Sequence, residues 1–247
     1  MKEIEEALLA GEIDLAVHSA KDLPGRLPEG LEIAAVPAGE DPRDALVGAA
    51  SVEALAEGAR VGTSSLRRRS QLLAQRTDVE VVPLRGNVDT RLRKLSDGEC
   101  DAALLALAGL RRLGREREVG AALDTGAFVP APGQGLLALE ARIGGAARDL
   151  LAALADPVAR ARLDAERAVV EALDTSCNTP VGAHAHIDGE RIAVHGYAGL
   201  PDGSEWITDS YAGNASDPAA AGSELARRML SAGAGELLRR AAGTLGA

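Results

Sequence analysis

The residues best suited to chemistry in this chain are the cations between positions 60 and 94. Arg60, Arg67, Arg68, Arg69, Arg76, Arg85, Arg91, Arg93 and Lys94 stand there against Asp78, Glu80 and Asp89, nine positive charges to three negative. The whole chain has a formal net charge of -10, so this stretch reverses the global sign. Such a reversal marks a candidate site for a polyanion, although solvated helix faces give the same count. Placement favours a site. Arg67 and Arg68 follow Thr63-Ser64-Ser65 at the start of a helix-forming run, where free backbone N–H groups and the helix dipole attract anions. Arg85 directly follows an apolar strand-like run, and Arg91 lies one turn into the next helix. In open α/β sheets, ligands bind outside the carboxyl ends of the strands.

Lys21-Asp22 ends another strand-like run. An aspartate among cations there can steer a cationic intermediate or move a proton; an ordinary turn ahead of Leu23-Pro24 fits the same residues. Cys177 lies in a loop of small residues between a long helix and a hairpin, where a cysteine is often incidental. Cys100 precedes an apolar strand and reads as a small core residue. The histidines show no metal-ligand spacing, so no metal is expected, and Gly133-Gln134-Gly135 is too short for a nucleotide loop. Walker, dinucleotide and zinc patterns are missing from the sequence.

These groups need a scaffold. A chain of 247 residues that is 46% hydrophobic is globular and long enough for roughly one to three domains. Its acidity argues against nonspecific binding to nucleic acid or an anionic membrane. No apolar run approaches the ~20 residues of a transmembrane helix, and MKEIEEALLAGEID reads as an acidic amphipathic helix rather than a signal peptide. A cytoplasmic location follows as the expectation, with no disulfide. The Arg-for-Lys bias suits bidentate recognition of carboxylates, and a GC-rich genome produces the same bias.

The pattern predicts a helix over 3–10 with Ile4, Leu8 and Leu9 on one face, then a buried strand over 13–17 and another over 31–36. Glu40 to Asp44 reads as a charged connector between domains. Strands over 59–61, 79–84 and 101–107 alternate with helices, which predicts a parallel sheet. Further strands are expected at 127–129 and 136–141. Asp156-Pro157 opens a helix reaching about Leu173. Asp188-Gly189 and Asp202-Gly203 mark hairpin turns joining three strands, and helices near 217–231 and 235–244 finish an α+β unit.

Six segments, HSAKDLP (18–24), EDPRDALV (40–47), VGTSSLRR (61–68), LRGNVDTRL (84–92), APGQG (131–135) and SCNTPVGA (176–183), resemble in order and spacing the porphobilinogen deaminases, and the resemblance covers essentially the whole chain. It implies an α/β fold: two domains like type II periplasmic binding proteins, 1–38 with 135–153 and 42–130, followed by a small α+β domain, 156–247. It implies a transferase that deaminates porphobilinogen and joins four units head to tail into hydroxymethylbilane, on a dipyrromethane cofactor held by a thioether to Cys177. Asp22 matches the family's catalytic aspartate. Ser19, Lys21, Thr63, Ser65, Arg67, Arg68, Arg85, Arg91 and Gln134 match positions that contact cofactor or substrate. Each porphobilinogen brings an acetate and a propionate, which accounts for an excess of arginine. A monomer is expected, with no nucleic-acid or membrane partner.

Two departures accompany the resemblance. Thr175-Ser176 stands before Cys177 where the family commonly has Gly-Gly. Members also carry roughly 60 residues ahead of the first helix, enough for a βαβ unit and more. The first domain is therefore expected to be incomplete, and the chain as given inactive and marginally folded there. Two other classes of reading remain: a noncatalytic anion-binding protein on the same cleft, and a paralogue that binds tetrapyrroles without making them.

Overall fold

The computed structural model describes residues 2–174 and 179–243. The chain opens with α1 (Lys2–Ala10), β1 (Leu15–Ser19), a 3-10 turn at Ala20–Asp22, and β2 (Leu31–Ala35). It continues through β3 (Asp44–Val47), β4 (Arg60–Gly62), α2 (Leu66–Gln75), β5 (Glu80–Val82), α3 (Val88–Ser96), β6 (Ala102–Ala106), α4 (Leu107–Arg112) and β7 (Val119–Ala122). Then come β8 (Leu137–Arg142), α5 (Ala147–Ala152) and α6 (Pro157–Ala172). The last elements are β9 (Val181–Asp188), β10 (Arg191–Gly199), β11 (Trp206–Asn214), α7 (Pro218–Ser231) and α8 (Ala234–Gly243).

The strands form three sheets, ordered β1-β8-β2, β5-β4-β6-β3-β7 and β11-β10-β9. The helices start where side chains accept orphan N–H groups. Ser65 accepts from the Arg68 N–H, Asn87 from Thr90 and Asp156 from Ala159. α2 and α3 are the crossovers that let β5, β4 and β6 run parallel. Apolar clusters pack on the five-stranded sheet, one around Leu46, Val61, Leu72 and Phe128, another around Leu92, Leu105 and Leu110. The third sheet buries Ala183, Val194 and Ile192 under α6, α7 and α8. Two segments pass between the first sheet and the second, one after β2 and one after β7. They meet where the Glu40 N–H donates to the Gly135 carbonyl at 2.9 Å. This is the expected class: two α/β bodies joined by a double crossing, then an α+β unit.

Several expectations need correction. The five-stranded sheet is mixed, because β3 pairs antiparallel with both β6 and β7. Asp44, read as part of a connector, is the first residue of β3 and fully buried. Residues 127–129 are not a strand. Asp124 Oδ1 accepts the N–H groups of Gly126 and Ala127, and the resulting turn drops Phe128 and Val129 into the core. The buried strand over 13–17 is instead Leu15–Ser19, an edge strand whose faces alternate, with Leu15 and Val17 exposed. Among the described residues it pairs with β8 alone, so its other edge is open, and Leu15, Val17 and Ser19 form an exposed face. On α1, Leu8 is buried, whereas Ile4 and Leu9 flank it and remain exposed. The first sheet is antiparallel throughout.

Candidate active site

A cleft of about 440 Å³ opens where the double crossing, α2 and α6 converge. The 3-10 turn after β1 carries Lys21 and Asp22 into it. That turn packs against the second crossing at Gly133, whose φ is +76°. A Cβ there would lie 2.9 Å from the backbone of Ala20 and Lys21, so only glycine permits the approach. Beside Asp22 the wall includes Ser64, Ser65, Arg67, Arg68 and Arg91. Burial, reinforced by the nearby Arg68 charge, pushes the Lys21 amine down to about 8.

The N-terminus of α2 is built by its hydroxyls. Thr63 Oγ1 accepts from the Ser65 N–H, and Ser64 Oγ accepts from Leu84 at the end of β5's extension. Arg67 and Arg68 then turn inward and are 3% and 4% exposed. Both converge on Asp44. Arg67 Nη1 donates to it at 2.6 Å and Arg68 Nε at 2.8 Å. Gln134 Nε2 adds a third donor at 3.0 Å, and also reaches the Pro42 carbonyl. Burial alone would raise the Asp44 pKa; the two guanidinium charges override it and hold the carboxyl far below the usual range. Further Arg67 and Arg68 donors go to the carbonyls of Val129 and Leu104. Arg67 Nε is buried without a partner among the described residues.

Arg91 donates from Nε to the Gly86 carbonyl, and burial lowers its pKa while Asp22 opposes that shift. From the opposite side, Arg167 of α6 lines the cleft and donates to the Gly25 carbonyl. Glu166, its neighbour, is buried. It accepts from the Gly133 N–H at 2.6 Å and the Ala185 N–H at 2.9 Å, tying the crossing to the third sheet.

Of the residues expected from sequence, Asp22, Lys21, Ser65, Arg67, Arg68, Arg91 and Gln134 line this one cleft. Three expected binding residues do not. Ser19 is exposed on the edge strand, Arg85 is exposed on the loop before α3, and Thr63 is buried beneath the α2 turn. Cys177 lies outside the described residues; Val170 and Thr179, on either side of it in the chain, both line the cleft. Asp44 and Arg167 were missed. An acid inside a charged run looks like a loop residue, and nothing in the α6 pattern separates Arg167 from the helix's other arginines, Arg160 and Arg162.

The arrangement sets one carboxylate, Asp22, in a cleft walled by Lys21, Arg67, Arg68, Arg91 and Arg167. It can hold several carboxylates while Asp22 faces a developing positive charge.

Residues 1–148 match the profile described as porphobilinogen deaminase, dipyromethane cofactor binding domain, and residues 161–231 match porphobilinogen deaminase, C-terminal domain. The porphobilinogen deaminase of Roseiflexus castenholzii is 50% identical over 239 residues, spanning 96% of this chain and 78% of the relative. That of Thiobacillus denitrificans is 48% identical over 241 residues, 96% of this chain and 79% of the relative. Among solved structures, a putative methionine-binding lipoprotein from Bacillus subtilis overlaps 60% of this chain and 70% of its own, with a TM-score of 0.38 and 13% identity. That likeness is too low to bear on function.

Proposed function

This chain belongs to the porphobilinogen deaminase family, and on that premise we propose that the cleft around Asp22 is its active site. The activity is that of a hydroxymethylbilane synthase, a transferase of tetrapyrrole biosynthesis. It deaminates four porphobilinogen molecules and joins them head to tail, using a dipyrromethane cofactor. The observation that carries the site assignment is the convergence of Asp22 with five cationic side chains on one cleft.

The residues present fit the cofactor. Each of its pyrroles bears an acetate and a propionate, and the cleft supplies cations for them. The unpartnered Nε of Arg67 is a donor still lacking an acceptor. The volume falls within the roughly 300–1,000 Å³ of small-molecule sites. Lys21, Ser65, Arg67, Arg68, Arg91 and Gln134 would hold its carboxylates, with attachment at Cys177. When bound, it supplies the free pyrrole α-carbon on which the product is built.

The protein's own part is electrostatic. Loss of ammonia from porphobilinogen leaves positive charge shared with the pyrrole nitrogen. Asp22 accepts the pyrrole N–H and stabilises that charge, a preorganised group aimed where charge develops. The arginines fix the carboxylates and so orient the reacting carbons. Asp44 takes the ion pairs of Arg67 and Arg68, and among the described residues Asp22 has no ion pair of its own.

We propose domains at 1–38 with 135–153, 42–130 and 156–247, and a cytoplasmic monomer. The net charge of -10 supports the lack of a nucleic-acid or anionic-membrane partner. No helix among the described residues is long and apolar enough to cross a membrane. Peptide mass spectrometry of the enzyme expressed in full-length form tests the attachment: a dipyrromethane mass on the Cys177 peptide, with Cys100 unmodified, is expected. An active enzyme with unmodified Cys177 would overturn it.

A further inference from the structure

The helix that brings Arg67 into the cleft turns a polar face inward. Arg67, Ser70 and Gln71 of α2 are all buried. Residues three and four apart share a helix face, so Ser70 and Gln71 lie one turn on from Arg67 along one stripe. A buried apolar stripe can slide with little loss. A buried polar stripe is satisfied at one rotation of the helix, because each unmade bond strands a desolvated donor or acceptor. Gln71 meets the second crossing, donating to the Val129 carbonyl and accepting its N–H. The same carbonyl accepts from Arg67.

Ser70 meets the third sheet instead. Its hydroxyl donates to the Leu200 carbonyl at 2.6 Å. A serine has one hydroxyl proton to give, so in the 2.6 Å contact between Ser70 Oγ and the Tyr197 hydroxyl the phenol is the donor. Tyr197 stands on β10 and is buried. Glycine makes the contact possible: a Cβ on Gly199 would lie 2.5 Å from both Ser70 Oγ and the Tyr197 hydroxyl oxygen. At Gly203, in the turn after β10, a Cβ would run into the Ala74 backbone nitrogen, so that turn rests directly on α2. Burial pushes the Tyr197 phenol up, and the Ser70 bond and the nearby Arg67 charge oppose that shift. Tyr197 is not among the residues lining the cleft.

We propose that Tyr197 is a positioning residue: through Ser70 it fixes the rotation of α2, and with it the aim of the Arg67 guanidinium at incoming carboxylates. The inference rests on the reading of the cleft given above. It gives the third sheet a part in binding substrate that none of its side chains touches. Asp22 stands on a different segment, so the chemical step itself is spared.

Steady-state kinetics with porphobilinogen on the cofactor-bearing enzyme, expressed in full-length form, test this. Tyr197→Phe keeps the ring and removes only the donor. It should raise KM about fivefold, the scale of one lost neutral hydrogen bond, and leave kcat nearly unchanged. Ser70→Ala should give a similar rise, and the double variant little more. In an Arg67→Lys background the effect of Tyr197→Phe should be largely lost, because the fork it aims is gone. A Tyr197→Phe enzyme that is less stable but has a wild-type KM overturns the proposal. So does an equal rise in KM on both backgrounds. A wild type that consumes no porphobilinogen contradicts the family reading instead. The same Tyr197–Arg67 cycle read by urea denaturation needs no turnover: coupled residues lose stability non-additively, and additive losses would overturn the proposal even then.

Discussion

At the scale of single residues, the cleft depends on two charges held away from their ordinary behaviour. Lys21 lies in the cleft with its amine pushed down to about 8 by burial and the Arg68 charge. Its folded pKa is below its unfolded value. Below pH 8 the buried charge opposes folding; between about 8 and 10.5 the unfolded chain binds more protons, so stability gains with rising pH. Binding runs the other way, because only the protonated amine attracts carboxylates. The KM for porphobilinogen should therefore climb as pH passes 8, and Lys21→Met should raise KM while flattening that limb. A wild-type pH profile in Lys21→Met would remove the amine from binding. Asp44 is the second charge, buried between two guanidiniums. Deleting one partner of a buried ion pair costs about 3–5 kcal/mol. Asp44→Asn should lower the denaturation midpoint accordingly and raise KM, since Arg67 and Arg68 lose the group that aims them. Equal stability in urea titration would contradict that role.

At the scale of elements, the close approach of the second crossing to the Lys21-Asp22 turn joins both halves of the site. Gly133→Ala places a Cβ 2.9 Å from backbone atoms at a φ of +76°. The crossing must then shift, carrying Gln134 off Asp44 and disturbing Asp22 together. Turnover should fall at least tenfold with a measurable loss of thermal stability; native kinetics would show the approach to be slack. The elements also show what sequence could convey. The helix openings at Thr63-Ser64-Ser65 and Asp156-Pro157 were legible because a cap is a local interaction, and Ser65 and Asp156 supply those caps. The hairpin turns at Gly189 and Gly203 were equally legible. β3 was not, since its first residue is an acid that only two distant arginines make tolerable in a core. β7, Val119-Gly-Ala-Ala122, has weak strand propensity and exists through pairing with β3. At Gly120 a Cβ would lie 2.1 Å from the Ala49 carbonyl oxygen, a packing demand that no local pattern announces.

Across the whole molecule, a continuous polar path links α6, the second crossing and the five-stranded sheet. Glu166 of α6 holds the Gly133 N–H, Gln134 beside it reaches Asp44, and Asp44 fixes Arg67 and Arg68. The cationic cluster was visible in the sequence, but its division into a few cleft residues and many surface ones was not. Arg60 and Arg76 pair with Asp101 and Asp78 on the surface, and Arg85 points outside the cleft. What sets Arg67 and Arg68 apart is one buried carboxylate, Asp44, 23 and 24 residues away in the chain. As proposed above, Asp22, facing this fixed cationic wall, stabilises the charge formed on deamination. The most direct measurement is porphobilinogen consumption by Asp22→Asn beside the wild type, with cofactor content verified by intact mass. Losing one such preorganised group typically costs ~100–1,000-fold, so turnover should fall by that factor while the cofactor mass remains. Near-native consumption by the cofactor-bearing variant would contradict the account.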